Sequence, residues 1–203
     1  MTWQTWSLYA LAAIGLSLTP GPNGLLALTH GALHGTKKTL ATIVGGSLGF
    51  GLIIGLSMFG IGALLATWVG LLVIMKWLGG AYLVWLGIQL IRSEPINISR
   101  SKNAGNGRLR TLFSQGLISA ISNPKGILFF VAFLPQFVNL RESLFTQFLL
   151  MAMTFIVIEF IYEFTVASLA DRIKPLLVRA GKNFNRVFGG IFIAIGVLLP
   201  LRG

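Results

Sequence analysis

A helix-breaking segment interrupts the first long apolar run of this sequence. It reads Leu18-Thr19-Pro20-Gly21-Pro22-Asn23-Gly24, and about fifteen mostly apolar positions precede it while about nine follow it. If the run spans a membrane, the break lies near the middle of the bilayer. Freed backbone N–H and C=O groups there must line a polar cavity or be covered by other protein. This segment, the first break, is therefore the first candidate for a functional site.

The composition indicates a membrane protein and excludes a soluble domain. Of the 203 residues, 55% are hydrophobic and only 10% are charged, which leaves too little polar surface to face water. The net charge of +11 does not predict nucleic-acid binding, because the basic residues lie in loops between apolar runs instead of on one surface. We therefore expect the lipid bilayer as a partner and no nucleic acid.

Hydropathy predicts an all-α polytopic protein with six transmembrane helices in a single transmembrane domain, residues 1–203. The predicted spans cover about residues 6–32, 40–66, 69–91, 113–137, 144–170 and 185–201. Alternate loops carry twelve Lys and Arg residues on one side and three on the other. Since basic loops stay in the cytoplasm, this bias predicts a multi-pass protein of the cell (inner) membrane with both termini non-cytoplasmic.

The two halves of the sequence resemble each other. A shift of 102 residues superposes Pro22 and Gly24 on Pro124 and Gly126, and Ser17 on Ser119. Repeat one covers about residues 1–92, a linker about 93–110, and repeat two about 111–203. Because each half has three spans, the halves enter the membrane from opposite sides, so the pattern predicts two inverted three-helix repeats with broken first and fourth helices.

The fourth helix contains the second break, Asn123-Pro124-Lys125. Asn is a favoured N-cap and Pro is favoured at the first helical position, so both breaks are predicted to aim a half-helix amino terminus at mid-membrane. Such ends bind small anions or carboxylates, whereas the alternative is that the prolines only kink the spans. The predicted substrate-binding residues are Pro20, Gly21, Pro22, Asn23, Asn123, Pro124 and Lys125.

Lys125, Glu159 and Glu163 are ionisable side chains of predicted spans that could take part in transport. Lys125 is interpreted either as a counter-charge for a substrate carboxylate or an acidic residue, or as a structural pair within the bundle. Glu159 and Glu163 lie one helical turn apart on the fifth span. Proton coupling is predicted for both positions, with Glu159 the preferred proton carrier and an ion pair the preferred role of Glu163.

Other motifs carry less information. His30 and His34 have helical spacing but no third ligand, so we interpret them as residues of an interface, not of a metal site. The glycines Gly45, Gly49, Gly51 and Gly55 permit close helix packing within the bundle or between the subunits of a homodimer. The sequence contains no catalytic triad, phosphate loop or metal motif, so we predict no enzyme activity, no cofactor and no metal.

Three motifs together resemble the LysE superfamily of amino-acid exporters, and within it the RhtB branch of homoserine, threonine and leucine efflux proteins. They are LTPGPNGLLALTHGALHG, KWLGGAYLVWLGIQLI and NPKGILFFVAFLPQF. The resemblance implies a six-span inner-membrane exporter driven by the proton gradient. By motif it assigns Pro20 to Asn23 to the family's first break, Asn123 to Lys125 to its second, and Glu159 to an intramembrane acid.

Two functions remain open at this point. The first is a secondary-active exporter of small neutral amino acids, such as leucine, threonine or homoserine, in exchange for protons. The second is a non-transporting membrane scaffold or lipid-handling protein in which the breaks only shape helix packing. The intramembrane Lys125 and Glu159 favour the exporter, because a structural bundle gains little from two buried charges.

Overall fold

A computed structural model of the chain is all-helical over the residues it describes, which are 1–19, 21–67, 70–92, 107–139 and 141–198. The helices are α1 (Trp3–Leu18), α2 (Pro22–His34), α3 (Thr36–Thr67), α4 (Gly70–Arg92), α5 (Leu109–Ile121), α6 (Pro124–Phe133), α7 (Leu144–Ser168) and α8 (Ala170–Leu198). A short 3₁₀ helix, Leu134–Phe137, extends α6. Pro20 and most of the predicted linker lie outside the described residues.

Two helices, α3 and α7, are each long and apolar enough to cross a membrane. The pair α1 and α2 is bent by 54° and the pair α5 and α6 by 48°, and each pair passes the same test if it forms one broken span. The part of the chain that the structure describes therefore contains two clear spans, or four with the bent pairs. The chain is a multi-pass helical membrane protein with breaks at both predicted places.

Glycines set the closest helix contacts. A Cβ on Gly45 would meet the carbonyl oxygen of Phe113, and one on Gly116 would meet that of Thr42, so α3 and α5 touch backbone to backbone. In the same way, a Cβ on Gly87 of α4 would lie 2.5 Å from the carbonyl oxygen of Gly189 on α8. Gly45 and Gly49 thus serve packing within the chain, and Gly51 and Gly55 face side chains of α7.

Helix α8 begins fifteen residues before the predicted sixth span. Only its second part, Gly189–Leu198, is a continuous apolar segment. The first part carries basic residues at Arg172, Lys174, Arg179, Lys182 and Arg186. Hydropathy located the apolar part and missed the polar helical extension, because an amphipathic helix leaves no run of apolar residues to detect.

An aromatic core surrounds the inner ends of the broken helices. Phe50 of α3, Phe130 of α6 and Phe155 of α7 pack edge to face, with ring centroids 4.8–6.4 Å apart. Tyr9 of α1 is wholly buried and donates a 2.9 Å hydrogen bond to the carbonyl oxygen of Met151 on α7. Edge-to-face packing adds to the stability gained by burying the rings, so this core fixes the positions of α1, α3, α6 and α7 around the breaks.

Candidate functional site

The first break leaves free donors at the start of α2. Helix α1 ends at Leu18, Thr19 is extended, and α2 begins at Pro22 with Gly21 as N-cap. Gly21 provides no side-chain cap, and Pro22 has no N–H. The backbone N–H groups of Asn23 and Gly24, in the first turn, therefore have no partner within the helix. This amino terminus can accept an anion.

The second break is capped by its own side chain. Oδ1 of Asn123 accepts hydrogen bonds from the backbone N–H of Lys125 at 3.1 Å and of Gly126 at 3.4 Å. Pro124 occupies the first helical position of α6. The N-cap and proline were read correctly as a helix start, but the cap occupies donors that a substrate would need. The two half-helix ends are thus unequal, and α2 carries the open one.

Lys125 reaches across from the second break to the first. Its Nζ donates to the carbonyl oxygen of Leu16 at 3.0 Å and to that of Thr19 at 2.7 Å. These carbonyls belong to the end of α1, where helix geometry leaves C=O groups without an intrahelical partner. The described part of the chain shows no ion pair to Lys125 within 4.0 Å, so its partners are backbone oxygens and not a carboxylate.

Glu159 lines a small cavity between the breaks. Its side chain is 5% exposed, and neither Glu159 Oε2 nor the buried Ser17 Oγ has a hydrogen-bond partner among the described residues. The volume open to the centre of a water molecule is about 10 Å³, which is room for one water. The cavity is lined by Leu16, Ser17, Thr19, Gly21, Asn23, Gly24, Phe50, Asn123, Lys125, Gly126, Phe155 and Glu159.

Glu163 lies on a second side of the site, next to Asn23. It is 1% exposed, and a Cβ on Gly46 of α3 would lie 3.6 Å from Glu163 Oε2 and 3.0 Å from Asn23 Nδ2. Oδ1 of Asn23 accepts a 2.8 Å hydrogen bond from Ser119 of α5. Asn23 thereby contacts α5 with its oxygen and approaches α3 and α7 with its amide nitrogen.

Near the start of each half-helix, a glycine packs against an aromatic ring from the opposite half of the sequence. A Cβ on Gly24 of α2 would lie 2.8 Å from the hydroxyl of Tyr162 on α7. A Cβ on Gly126 of α6 would lie 3.0 Å from Cε1 of Phe50 on α3. These two glycines are separated by the repeat shift of 102 residues, and each lies against an aromatic side chain of the other half, although Phe50 and Tyr162 are not themselves related by that shift.

The structure brings most of the predicted site residues together. Gly21, Asn23, Asn123, Lys125 and Glu159 line the cavity, and Glu163 is one turn from Glu159. Pro22 and Pro124 start the half-helices, whereas Pro20 lies outside the described residues. Sequence reasoning missed Ser17, Ser119, Phe50 and Tyr162 as site residues. The serines were visible only as matching positions of the repeat.

His30 differs from its interpretation as an interface residue. Its side chain is wholly buried, and Nδ1 lies 2.7 Å from the hydroxyl of Thr42 on α3. The ring of His34 lies 5.6 Å from that of His30. The helical spacing was read correctly, but the close approach of α2 to α3 encloses the first histidine, and spacing alone does not reveal this.

Two bent helix pairs whose breaks meet at a buried cavity with charged side chains are an arrangement typical of membrane transporters. Comparison with known families identifies the family of transporters. The LysE type translocator family matches residues 14–203, and the chain belongs to it. It is therefore a transporter and not an enzyme or a passive scaffold.

The homoserine/homoserine lactone efflux protein of Salmonella typhimurium (strain LT2) is 34% identical over 203 aligned residues, covering 98% of this chain and 97% of the relative. The leucine efflux protein of Enterobacter sp. (strain 638) is 34% identical, covering 94% and 92%. An uncharacterized membrane protein of Vibrio cholerae is 32% identical, covering 97% and 96%. No solved structure matches the chain significantly.

Proposed function

We propose that the protein exports small neutral amino acids, such as leucine, threonine or homoserine, across the cytoplasmic (inner) membrane. Membership of the translocator family supports this proposal, as do the names of the homoserine and leucine efflux relatives. The observation that carries it is the pairing of the open α2 amino terminus with the Lys125 ammonium at one cavity. Together they present backbone N–H groups and a positive charge to an amino-acid carboxylate.

The substrate would bind between the two breaks once the site opens. An amino acid is several times larger than the one water for which the cavity has room, so the described arrangement corresponds to a closed site. Asn23, Asn123 and Lys125 would orient the carboxylate and amino groups. Movement of one half against the other would then open the cavity to each side of the membrane in turn.

The proposed topology has six transmembrane spans in two inverted repeats within one domain, residues 1–203. Both termini are proposed to lie outside the cytoplasm. The matching breaks support the repeat, as does the packing of Gly24 and Gly126 against aromatic side chains of the opposite halves. Because the chain contains no cysteine, single-cysteine variants can test the orientation. A membrane-impermeant maleimide should label Thr2→Cys in intact cells and Lys102→Cys only after lysis. The reverse pattern would overturn the orientation, and crosslinking of the same variants would test the homodimer.

Proton exchange is the proposed driving reaction, with Glu159 as the principal proton carrier. A buried carboxyl with an unpaired oxygen at the cavity supports this role, because it can take up a proton when the site opens to one side and release it to the other. Glu163 is buried beside Asn23 and stays the second candidate. The proposal assigns no metal and no cofactor to the transport step.

Binding can be tested without transport. We expect an exported amino acid to raise the melting temperature of the purified protein, since a ligand that binds only the folded state stabilises it. The same amino acid should slow thiol labelling of Ser17→Cys, a near-isosteric change in the cavity wall, but not of Thr154→Cys outside the cavity. If no amino acid raises the melting temperature or protects Ser17→Cys, the proposed function is wrong.

A further inference from the structure

The carboxyl end of α1 is a cation site that is already occupied. Unpaired carbonyls give this end a partial negative charge, and in a membrane they need a donor or a cation. Broken helices of transporters commonly meet this need with a free Na⁺ held by such carbonyls. Here the carbonyls of Leu16 and Thr19 instead accept hydrogen bonds from the ammonium of Lys125.

The position of Lys125 is unfavourable for its own helix. It lies in the first turn of α6, where the helix dipole repels a positive charge. Its two side-chain hydrogen bonds go to residues 109 and 106 positions earlier in the chain, across the meeting point of the halves. The hydrogen bonds of the ammonium therefore go to the end of α1, and they join the two breaks.

The Lys125 ammonium lies where a side chain at position 21 would be. A Cβ at position 21 would lie 2.9 Å from Lys125 Nζ and 3.2 Å from its Cε. The third atom within reach is the carbonyl oxygen of Thr19, at 3.8 Å, which is an ordinary contact. A side chain at this position would thus displace the lysine before it disturbed the backbone. The absence of a side chain at Gly21 therefore leaves space for the lysine.

We propose that Lys125 is a built-in cation, which fills the carbonyl site at the end of α1 and thereby holds the two breaks together in the closed conformation. The proposal rests on the proposed transport function and adds a positioning role to it. It also specifies a ligand: without the lysine, the site should accept a primary alkylammonium ion. n-Propylammonium matches the three carbons and the nitrogen that Lys125→Ala removes.

The test is chemical rescue of Lys125→Ala in liposomes. Amines dissipate pH gradients, so the assay is counterflow, the exchange of labelled for unlabelled leucine or homoserine without a gradient. We expect the variant to exchange about tenfold more slowly than wild type, because two buried carbonyls lose a charged donor. n-Propylammonium should raise the exchange rate of the variant several-fold and should also raise its melting temperature. 1-Propanol, of similar shape but uncharged, should do neither, and wild type should not respond.

The outcomes separate the two proposals. A folded Lys125→Ala that exchanges at the wild-type rate, or that n-propylammonium neither rescues nor stabilises, overturns the built-in cation. Wild type that exchanges no amino acid overturns the proposed function instead, while the melting-temperature response of Lys125→Ala still tests the cation site.

A second variant keeps the lysine and tests the same point if Lys125→Ala does not fold. Gly21→Ala should push the ammonium off the two carbonyls and slow counterflow severalfold while the protein remains folded. Gly190→Ala is the matched control, because nothing lies within 4 Å of a Cβ there. Wild-type exchange by a folded Gly21→Ala would contradict the proposal.

Discussion

The hydroxyl of Ser119 on α5 donates a 2.8 Å hydrogen bond to the side-chain oxygen of Asn23 on α2. These residues are 96 positions apart and belong to different halves of the sequence. The bond fixes the orientation of the Asn23 amide, so its nitrogen faces Gly46 and Glu163. One serine thus sets the donor that the first break presents to the site.

Ser119→Ala should lower the apparent affinity for the exported amino acid by about tenfold, since a buried amide loses its orienting partner. The measurement is the half-saturating substrate concentration in counterflow. Ser114→Ala is the control, because Ser114 on the same helix donates only to the carbonyl of Thr111. Equal affinities for both variants would show that the Ser119 bond does not serve the site.

The contact between Gly24 and Tyr162 predicts a suppressor pair. Gly24→Ala should reduce counterflow strongly, because its Cβ would overlap the tyrosine hydroxyl and ring. Replacing the ring as well, in Gly24→Ala/Tyr162→Leu, should restore part of the loss. Additive effects of the two changes in a double-mutant cycle would mean that this contact does not limit transport.

Helix packing predicts which glycines tolerate a methyl group. Gly116→Ala should lower the free energy of unfolding by about 1–3 kcal/mol, because its Cβ would overlap the backbone carbonyl of Thr42. Gly51→Ala should cost nothing and can stabilise, since its nearest neighbour is Ile156 Cδ1 at 3.5 Å. Urea or thermal unfolding in detergent checks both. Similar stabilities for the two variants would contradict the described α3–α5 contact.

The residue types at the two breaks made their positions predictable from sequence. Asn123 and Pro124 cap and start α6 as their residue types require, and Pro22 starts α2. The positions of α3 and α7 follow from hydropathy, because each is a long and predominantly apolar segment. These features depend on neighbouring residues alone.

Contacts across the two halves could not be predicted. That Lys125 would bond the carbonyls of Leu16 and Thr19 depends on where α6 begins relative to the end of α1. No sequence distance fixes this separation. The sequence offered a substrate carboxylate or an acidic residue as the partner, and backbone oxygens were overlooked because they are the same at every residue. The burial of His30 depends likewise on the packing of α2 against α3.

Replacing Glu159 and replacing Glu163 should have different effects on the pH dependence of counterflow. Glu163→Gln keeps the hydrogen-bonding shape beside Asn23 and should preserve the response of counterflow to pH, even if its rate falls. A flat pH profile for Glu163→Gln, with a normal profile for Glu159→Gln, would exchange the proposed roles of the two residues. The measurement is the initial exchange rate with equal pH on both sides, from acidic to alkaline.

The central claim is that this site exchanges an amino acid for protons through Glu159. The direct test is uptake of labelled leucine, threonine or homoserine by liposomes that contain the purified protein and are acidic inside. Wild type should accumulate at least one of these amino acids above the outside concentration, and Glu159→Gln should not, although it still binds substrate. Accumulation by Glu159→Gln equal to that of wild type, or no response of wild type to the gradient, would contradict the account.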